Sequence, residues 1–441
     1  MRNKIPIFIL LWGSGLMTTG CLLPDKDSII PGKSRIDTGE WTGSRPPRPG
    51  TVPEDTSDTI VYVSAAEFPQ DYHWQRDTAG ENRVFNLTLY RNMKKILSIK
   101  GGPGTYISSD PDMHRTIGGH LYTDFSTKDE TVISMDGKEL FRYSGREMLC
   151  GFMVRDGDVY TLGLDRKGTG VTFRKNGGTL FMDKDGIPFG DMSNPCSGSS
   201  GGLYELDGQI AFCYHVDGQA ALMRKTRLFI VKDGAADEVQ LDAAISGISD
   251  ARVIGGAFCL ASIQTGGQWS YPVLYNGQDV LNMPLRAGNT ISNCRLMWSG
   301  NDVYLKADWT RDSWSTTYSA LWNARMELFT PDKTAYVHEY YIDGKNIAYV
   351  YTDMAESRIC TRFTPDDEHD WRYTTADKSC FMGGNCAAIR GENFYAGISS
   401  MLKGGKPVLV HNGTASELQI NGFITSVTID VAEKQPNPPK I

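Results

Sequence analysis

The feature of this sequence that most constrains its fold is a unit of four short segments that recurs along the chain. The clearest copy, residues 148–186, reads MLCGFMVRDGDVYTLGLDRKGTGVTFRKNGGTLFMDKDG. Apolar residues alternate within the segments, as in strands with one buried face, and Asp156-Gly157 and Asn176-Gly177 separate two pairs of them. These dipeptides tolerate the positive φ of tight hairpin turns. The unit therefore predicts a stack of four antiparallel strands.

Two series of turns mark the copies of this unit. Turns of the first kind, such as Asp156-Gly157, join the first segment of the unit to the second, and turns of the second kind, such as Asn176-Gly177, join the third segment to the fourth. The turns of the second kind span 320 residues in seven intervals, about 46 residues per repeat, which is the period of a β-propeller blade. Eight turns of this kind and seven of the first kind predict eight blades, one of which lacks its first turn. The second kind lies at Asn92, Asp136, Asn176, Asp233, Asn276, Asn323, Asp366 and Asn412. The first kind lies at Gly118-Gly119, Asp156-Gly157, Asp207-Gly208, Gly255-Gly256, Ser299-Gly300, Asp343-Gly344 and Arg390-Gly391.

The two ends of the repeat account for the missing turn. The segment DTIVYVSAAEF, which starts at residue 58, matches a second strand with no first strand before it. The segment GFITSVTIDV, residues 422–431, matches a first strand with nothing after it. We therefore expect the C-terminal strand to join the N-terminal blade as its innermost strand and to close the ring. The predicted propeller covers residues 57–432.

These turn and strand residues resemble those of the eight-bladed β-propellers found in exported lipoproteins of Gram-negative bacteria, whose blades carry a motif of the form DG-x-VY…KNG. The resemblance covers nearly all of the predicted propeller. It implies an all-β fold of four-stranded antiparallel blades and transfers no function, because its residues are turn and core positions. A seven-bladed ring is the alternative, since the second blade is compressed and the seventh has Pro365-Asp366-Asp367 in place of Asn-Gly.

The N-terminal residues follow the order of a secretory signal, with a basic start, an apolar run over residues 5–11 and small residues up to Gly20. Thr18-Thr19-Gly20-Cys21 resembles the lipobox of bacterial lipoproteins, in which the cysteine is diacylated. We therefore predict a lipoprotein signal peptide over residues 1–20 and a lipid on Cys21. An ordinary signal peptide with a chance cysteine is the alternative.

The residues on either side of the predicted propeller lack the apolar content of a core. Residues 21–56 are rich in proline and glycine, which predicts a flexible tether. Residues 433–441 predict a disordered tail. A lipid on Cys21 and this tether would hold the propeller at a membrane while it works some distance away, so we expect an outer-membrane lipoprotein on the periplasmic or cell-surface side.

Antiparallel pairing divides the connections between two faces of the ring. The tight first and third turns of each blade share one face, and the longer connections after the second and fourth strands share the other, here called the loop face. Three aromatic second-to-third loops predict binding residues that stack on sugars or anchor a protein. The alternative is that their tryptophans are local core. The predicted residues are Tyr72 and Trp74 in the first blade, Trp269 in the fifth, and Trp309, Arg311, Asp312 and Trp314 in the sixth.

Local motifs for catalysis or metal binding are weak, and no catalytic residue is assigned. Residues 198–202, GSSGG, match the sequence pattern of a nucleophile elbow. That motif needs a helix directly after the serine, and the residues that follow lack the apolar periodicity of a helix, so a flexible loop is expected. Residues 183–186, DKDG, hold half the oxygen ligands of a calcium loop, and a surface turn is expected. The seven histidines show no metal-ligand spacing. We therefore predict no metal and no cofactor.

Cysteine usage allows one disulfide. Eight of the nine cysteines follow Cys21, and five of these fall inside predicted strands as small apolar residues. An exported protein can oxidise its cysteines in pairs. The one candidate bridge joins Cys380 to Cys386 or to Cys360.

Taken together, these patterns favour a binding or scaffolding propeller at the bacterial envelope, with a glycan or an envelope protein as the partner on its loop face. A carbohydrate-active enzyme, hydrolase or lyase, with acidic residues at the central channel is the alternative, because such residues would come from different blades and leave no local signature. A structural subunit of a larger complex is a third hypothesis. The formal net charge of −7 and the absence of a basic stripe argue against a nucleic-acid partner.

Overall fold

The described part of the chain is almost entirely strand. The statements that follow concern the residues that the computed structural model describes. These are 59–74, 85–101, 114–117, 119–126, 130–145, 147–165, 170–187, 202–206, 208–216, 225–232, 234–239, 248–266, 269–276, 279–282, 289–311, 316–323, 327–329, 335–353, 355–365, 368–383 and 386–431. The predicted signal peptide, the tether, Cys21 and the C-terminal tail lie outside them.

Eight antiparallel sheets follow one another along these residues, which confirms the all-β fold and the eight blades and excludes the seven-bladed alternative. Blade 2 contains β4–β7, blade 3 contains β8–β11 and blade 4 contains β12–β16. Blade 1 contains β1–β3 and a strand from the C-terminus. These strands are β1 (Thr59–Glu67), β2 (Asn86–Arg91), β3 (Lys94–Lys100), β4 (His114–Ile117), β5 (His120–Ser126), β6 (Glu130–Met135), β7 (Lys138–Ser144), β8 (Glu147–Arg155), β9 (Asp158–Asp165), β10 (Val171–Lys175), β11 (Gly178–Asp183), β12 (Gly186–Ile187), β13 (Leu203–Leu206), β14 (Gln209–Val216), β15 (Lys225–Lys232) and β16 (Ala235–Val239).

The second half repeats the pattern. Blades 5, 6 and 7 contain β17–β20, β21–β24 and β25–β28, and blade 8 contains β29–β33. In blades 4 and 8 the first strand is split into two short strands that pair with the same neighbour. These strands are β17 (Ile248–Ile254), β18 (Ala257–Gly266), β19 (Trp269–Tyr275), β20 (Val280–Asn282), β21 (Asn289–Ser299), β22 (Asp302–Arg311), β23 (Thr316–Asn323), β24 (Glu327–Phe329), β25 (Ala335–Asp343), β26 (Asn346–Asp353), β27 (Arg358–Thr364), β28 (Trp371–Thr374), β29 (Cys380–Phe381), β30 (Ala387–Arg390), β31 (Asn393–Ser400), β32 (Val408–His411), β33 (Thr414–Glu417) and β34 (Gly422–Val431).

The C-terminal strand β34 closes the ring as the sequence predicts. It pairs antiparallel with β1 from Thr59↔Val431 to Glu67↔Gly422, and the order of this sheet is β3-β2-β1-β34. The hydroxyl of Ser64 lies 2.5 Å from that of Ser426 inside the sheet. A Cβ on Gly422 would lie 1.8 Å from the carbonyl oxygen of Ala66, so only glycine allows this close approach.

The recurring Asn or Asp of the second-kind turn has a shared structural role. In blade 3, Asn176 has a φ of 48°, its backbone N–H donates to Val159 O at 2.8 Å, and its Oδ1 accepts from Val159 N at 2.8 Å. One turn residue thus satisfies both backbone groups at the start of the second strand. The same pair of bonds joins Asn92 to Val61, Asp136 to Leu121 and Asn412 to Phe394. The repeat in the sequence is therefore a repeat of hydrogen bonds.

The apolar core lies between neighbouring blades rather than within any single blade. The cluster that contains Leu274 of blade 5 also contains Leu296 and Trp309 of blade 6. The first strands of successive blades contact one another, as in β17 with β21 and β21 with β25, which makes them the innermost strands. Each blade therefore presents both faces of its sheet to a neighbour, and the closed ring leaves neither end blade uncovered.

The candidate disulfide is wrong. Cys360, Cys380 and Cys386 are free thiols. The Cys386 thiol is buried between blades 8 and 1, 3.5 Å from the carbonyl oxygen of Ile424 to which it donates. The Cys360 thiol lies 3.5 Å from Thr374 Oγ1. These cysteines pack as small side chains with a weak donor, which is the behaviour expected of buried thiols.

Candidate functional site

Strand alternation assigns each described connection to a face. The tight turns after first and third strands share one face, and their glycines have φ values between 50° and 85°, as in Gly157 at 81° and Gly177 at 79°. The loop face carries the second-to-third and blade-to-blade connections. Most of these connections lie outside the described residues, the GSSGG segment at 198–202 among them except for Gly202. The described part of the loop face therefore consists mainly of strand ends.

Trp309 is not a loop residue, which corrects its prediction as a binding residue. It lies inside β22, where it pairs with Ile291 and Tyr318, and its side chain is fully buried in the core between blades 5 and 6. The strand continues two residues past it, so the alternation that buries Ala307 buries Trp309 as well. It has no exposed ring face for a sugar.

Trp74 is also core, with 6 % of its surface exposed. Its ring lies 5.0 Å from that of Phe423 and 5.9 Å from that of Phe68. The half-buried Tyr72 stacks on Phe68 at 5.5 Å. The short segment after β1 therefore folds back over the start of β34, where Phe423 lies. Trp74 is not available for stacking on a ligand.

Two of the other predicted residues, Trp269 and Arg311, lie at the loop-face ends of strands in blades 5 and 6. Trp269 begins β19 opposite Gly266, and Arg311 ends β22 between Asn289 and Thr316. Asp312 and Trp314 lie outside the described residues. For these four residues the predicted role in binding stays a prediction.

A cluster of charged side chains that the sequence analysis missed lies between the inner strands of blades 5, 6 and 7. Arg295 on β21 donates to Glu339 on β25 at 3.2 Å, and both side chains are partly exposed. Burial opposes the charge of Arg295, but the nearby carboxylates, Glu339 first among them, outweigh it and raise its pKa. The pair therefore links two neighbouring inner strands through full charges.

Buried charges surround this pair. Asp250 on β17 accepts from the backbone N–H of Leu296 at 2.9 Å and contacts Arg252 at 3.5 Å. Lys306 on β22 donates to the carbonyl oxygen of His338 at 2.9 Å and contacts Asp308 at 3.3 Å. Three cations and three carboxylates are thus brought together from four strands of three successive blades.

His338 lies beside Lys306 and Asp308 of this cluster. Its Nε2 lies 2.7 Å from Thr352 Oγ1, and its ring meets that of Tyr336 edge-on at 5.1 Å. Burial lowers the pKa of His338 to about 4, and the positive charge of Lys306 adds to the effect. The ring is therefore neutral near pH 7, and its nitrogens can take part in hydrogen bonds as donor and acceptor.

A shared irregularity of the backbone places these residues. The pairing between first and second strands shifts by one residue at Ser249, Ser292 and His338 in blades 5, 6 and 7. Such a bulge takes one residue out of the ladder and re-aims its neighbours. Because the bulges fall at equivalent positions, Asp250 on β17 and Glu339 on β25 lie at the same height along the inner strands of their blades.

A second charged pair, within blade 3 and packed against blade 2, is closed to ligands. Arg174 donates to Glu147 at 2.6 Å and lies 4.2 Å above the ring of Tyr143. Both charged side chains are about 10 % exposed or less. A Cβ on Gly163 would lie 2.5 Å from the Glu147 carboxylate, so the glycine makes room for it. This pair stabilises the packing of two blades.

The described residues show no group of three or more potential metal ligands. Asp183, in the segment that has half of a calcium loop, accepts instead from Tyr214 Oη at 2.6 Å and Arg227 Nη1 at 2.7 Å. Its carboxylate therefore joins blades 3 and 4. No helix among the described residues has the length and apolar content needed to cross a bilayer.

No family model and no curated protein matches this sequence. Several solved structures resemble this one in backbone fold at low sequence identity. A eukaryotic initiation factor matches with a TM-score of 0.45 at 10 % identity, over 87 % of this chain and 100 % of its own. The dihydro-heme d1 dehydrogenase NirN matches at 0.47 and 11 %, over 88 % of this chain and 78 % of its own. The β-propeller domain of the trilobed protease from Pyrococcus furiosus matches at 0.43 and 10 %, over 73 % and 93 %. At this level of likeness none of them informs the function of this chain.

Proposed function

We propose that this protein is a binding propeller anchored at the bacterial envelope, and that it takes a glycan on the inner strands of blades 5 to 7, which the ligand reaches from the loop face. The observation that carries the proposal is the partly exposed Arg295–Glu339 pair beside Tyr336 and His338. Trp269 at the start of β19 and Arg311 at the end of β22 lie on the loop face of blades 5 and 6. An envelope protein is the other partner that the sequence suggests for this face.

The balance of charges favours a neutral, hydroxyl-rich ligand. Each cation of the cluster contacts a carboxylate, as Arg295 does Glu339, so the side chains are held in place before a ligand arrives. A sugar hydroxyl can accept from a guanidinium and donate to a carboxylate at the same time. An anionic or cationic ligand of high charge would meet groups of its own sign. The half-buried Tyr336 ring adds an apolar surface for a sugar face.

The same contacts weigh against the alternative of a carbohydrate-active enzyme. A glycosidase needs one carboxyl group that donates a proton and a second carboxylate close by. In this cluster Asp250, Asp308 and Glu339 each contact an Arg or Lys side chain. Binding is therefore the activity that this geometry supports better than hydrolysis.

The envelope location rests on the N-terminal sequence. A lipid on Cys21, followed by the tether 21–56, would attach the protein to the outer membrane, on its periplasmic or cell-surface side. Strand β1 starts at Thr59 on the tight-turn face, because it runs toward the loop face at Glu67. The first described residue of the propeller, Thr59, is thus on the face opposite the loop face.

A glycan array probed with the chain from residue 21 onward, carrying Cys21→Ala, tests the binding site. We expect the wild-type propeller to bind a subset of glycans and Glu339→Gln to weaken that binding about tenfold or more, as for loss of a charged hydrogen bond. Glu147→Gln is the matched control, because it makes the same change in the closed Arg174–Glu147 pair of blade 3. No glycan bound by the wild type, or equal losses in the two variants, would rule out the site.

A further inference from the structure

Exposed apolar side chains are concentrated on one part of the outer rim. Ile96 on β3 and Leu140 on β7 are 48 % and 41 % exposed, and they are equivalent residues of neighbouring blades. The glycine turn before β7 packs on β3, since a Cβ on Gly137 would lie 3.2 Å from Ile99. The two outer strands therefore form one continuous surface, here called the outer wall of blades 1 and 2. Large apolar side chains exposed in the described residues are Met93, Ile96, Leu140, Met182, Trp298, Met401 and Leu402.

The same wall is basic, although the protein as a whole is acidic. Residues 91–100 contain four Lys or Arg side chains and no carboxylate, in a chain of net charge −7. Lys94 and Lys100 are exposed on either side of Ile96, and Lys138 is exposed close to Leu140. The exposed carboxylate of Glu139 on β7 is paired with Arg142 of the same strand, so the outer strands of the two blades carry a net positive charge. Apolar side chains surrounded by cations suit the boundary between the anionic headgroups and the acyl chains of a lipid surface.

Addition of a partner strand to this wall is disfavoured by its backbone. The outer strand of each blade has a β-bulge, at Ile96 in blade 1 and at Leu140 in blade 2. Bulges on edge strands interrupt the row of backbone groups that another strand would pair with. The bulged residues instead point apolar side chains outward, so the wall is built for contact through side chains.

We propose that the outer wall of blades 1 and 2 lies on an anionic lipid bilayer. The choice of a bilayer as occupant rests on the lipid anchor of the proposed function, because Thr59, where the chain from Cys21 enters the ring, begins the second strand of blade 1. The anchored blade is thus also the blade with the basic, apolar rim. A basic patch close to a lipid anchor adds electrostatic attraction to anionic headgroups.

Vesicle sedimentation tests this surface without the acyl anchor. The chain from residue 21 onward, with Cys21→Ala, is mixed with phosphatidylcholine vesicles with or without phosphatidylglycerol, at low and at physiological ionic strength. We expect binding to the anionic vesicles that salt weakens. Ile96→Asp with Leu140→Asp should lower it roughly tenfold, because two apolar contacts are lost.

The matched control is Met401→Asp with Leu402→Asp, which changes two side chains of similar exposure on the loop face of blade 8. Unchanged melting temperatures show that both variants fold. A wild-type chain that ignores anionic vesicles, or a control that loses as much binding as the test variant, would overturn the proposal. Binding to polyglutamate but not to vesicles would assign the wall to an acidic protein instead. Failure here leaves the glycan site and the lipid on Cys21 intact, since each has its own measurement.

Discussion

Asn421 donates its side-chain amide to the carbonyl oxygen of Tyr72 at 2.9 Å, across 349 positions of sequence. The same amide reaches Pro69 O, and the backbone of Asn421 accepts from Phe68 N at 2.8 Å. The residue just before the closing strand therefore fixes the segment just after β1. Closure of the ring and the shape of the first aromatic loop are one structural event, which explains why Trp74 is core and not an exposed platform.

Removal of residues 422–441 should destroy the cooperative fold. It strips β34 from β1, leaves the backbone groups of β1 unpaired and uncovers the core between blades 8 and 1, where Ile424 is fully buried. We expect aggregation or a much lower melting temperature by calorimetry. Removal of residues 433–441 alone is the control and should leave the midpoint unchanged. A shorter chain that melts like the wild type would refute the closure.

Replacement of Trp309 by Ala should affect stability directly. The side chain is fully buried between blades 5 and 6, so we expect a loss of about 3–5 kcal/mol in the free energy of unfolding. Trp269→Ala, at the loop-face end of blade 5, is the companion variant for glycan binding. Urea unfolding followed by fluorescence measures the first effect. Wild-type stability of Trp309→Ala would contradict the burial described above.

The turn residue Asn176 allows backbone strain to be separated from hydrogen bonding. Asn176→Gly keeps the positive φ but removes the acceptor for Val159 N, and it should cost about 1 kcal/mol. Asn176→Ala removes the acceptor and also strains the left-handed backbone, and it should cost about 1 kcal/mol more. Chemical denaturation of both variants checks the order. Equal stabilities would show that φ is not what selects Asn at this turn.

His338 should make stability depend on pH. Its pKa in the folded protein is about 4, below the ordinary value of 6.5, because it is buried and near Lys306. Between these values the unfolded chain binds more protons, so the free energy of unfolding falls as pH drops from 6.5 toward 4, by up to about 3 kcal/mol. The nearby Asp308 raises the pKa of His338 and so opposes this effect in part.

The measurement for this prediction is the melting temperature across that pH range. His338→Gln should lose the steep part of the dependence, whereas the exposed His120→Gln should keep it. A wild-type curve that is flat from pH 6.5 to 4, or identical slopes for the two variants, would show that His338 is not buried as a neutral ring.

Cys21→Ala should abolish the lipid modification and the salt-resistant attachment to the membrane that it provides, leaving the weaker, salt-sensitive contact of the outer wall of blades 1 and 2. A diacylated Cys21 is the one feature of the sequence that would hold this charged protein at a bilayer firmly, so its loss should release the protein or stop its processing. Labelling with a radioactive fatty acid measures the modification. Label retained by the variant at the wild-type level would exclude this residue as the lipid site.

The sequence by itself determined the architecture, because that information is local. A turn such as Asn176-Gly177 encodes its own positive φ, alternation within ten residues encodes a strand, and the unmatched segments at 58–68 and 422–431 encode the closure. Only the tertiary structure decided the candidate site. Asp250, Arg295 and Glu339 lie on separate strands about one repeat apart, and each looks like an isolated charge in an apolar strand until the ring brings them together. The prediction that Trp309 is an exposed loop residue was wrong for a related reason. The exposure of its side chain depends on where β22 ends, and because this strand continues two residues past Trp309, the side chain belongs to the core and not to the loop.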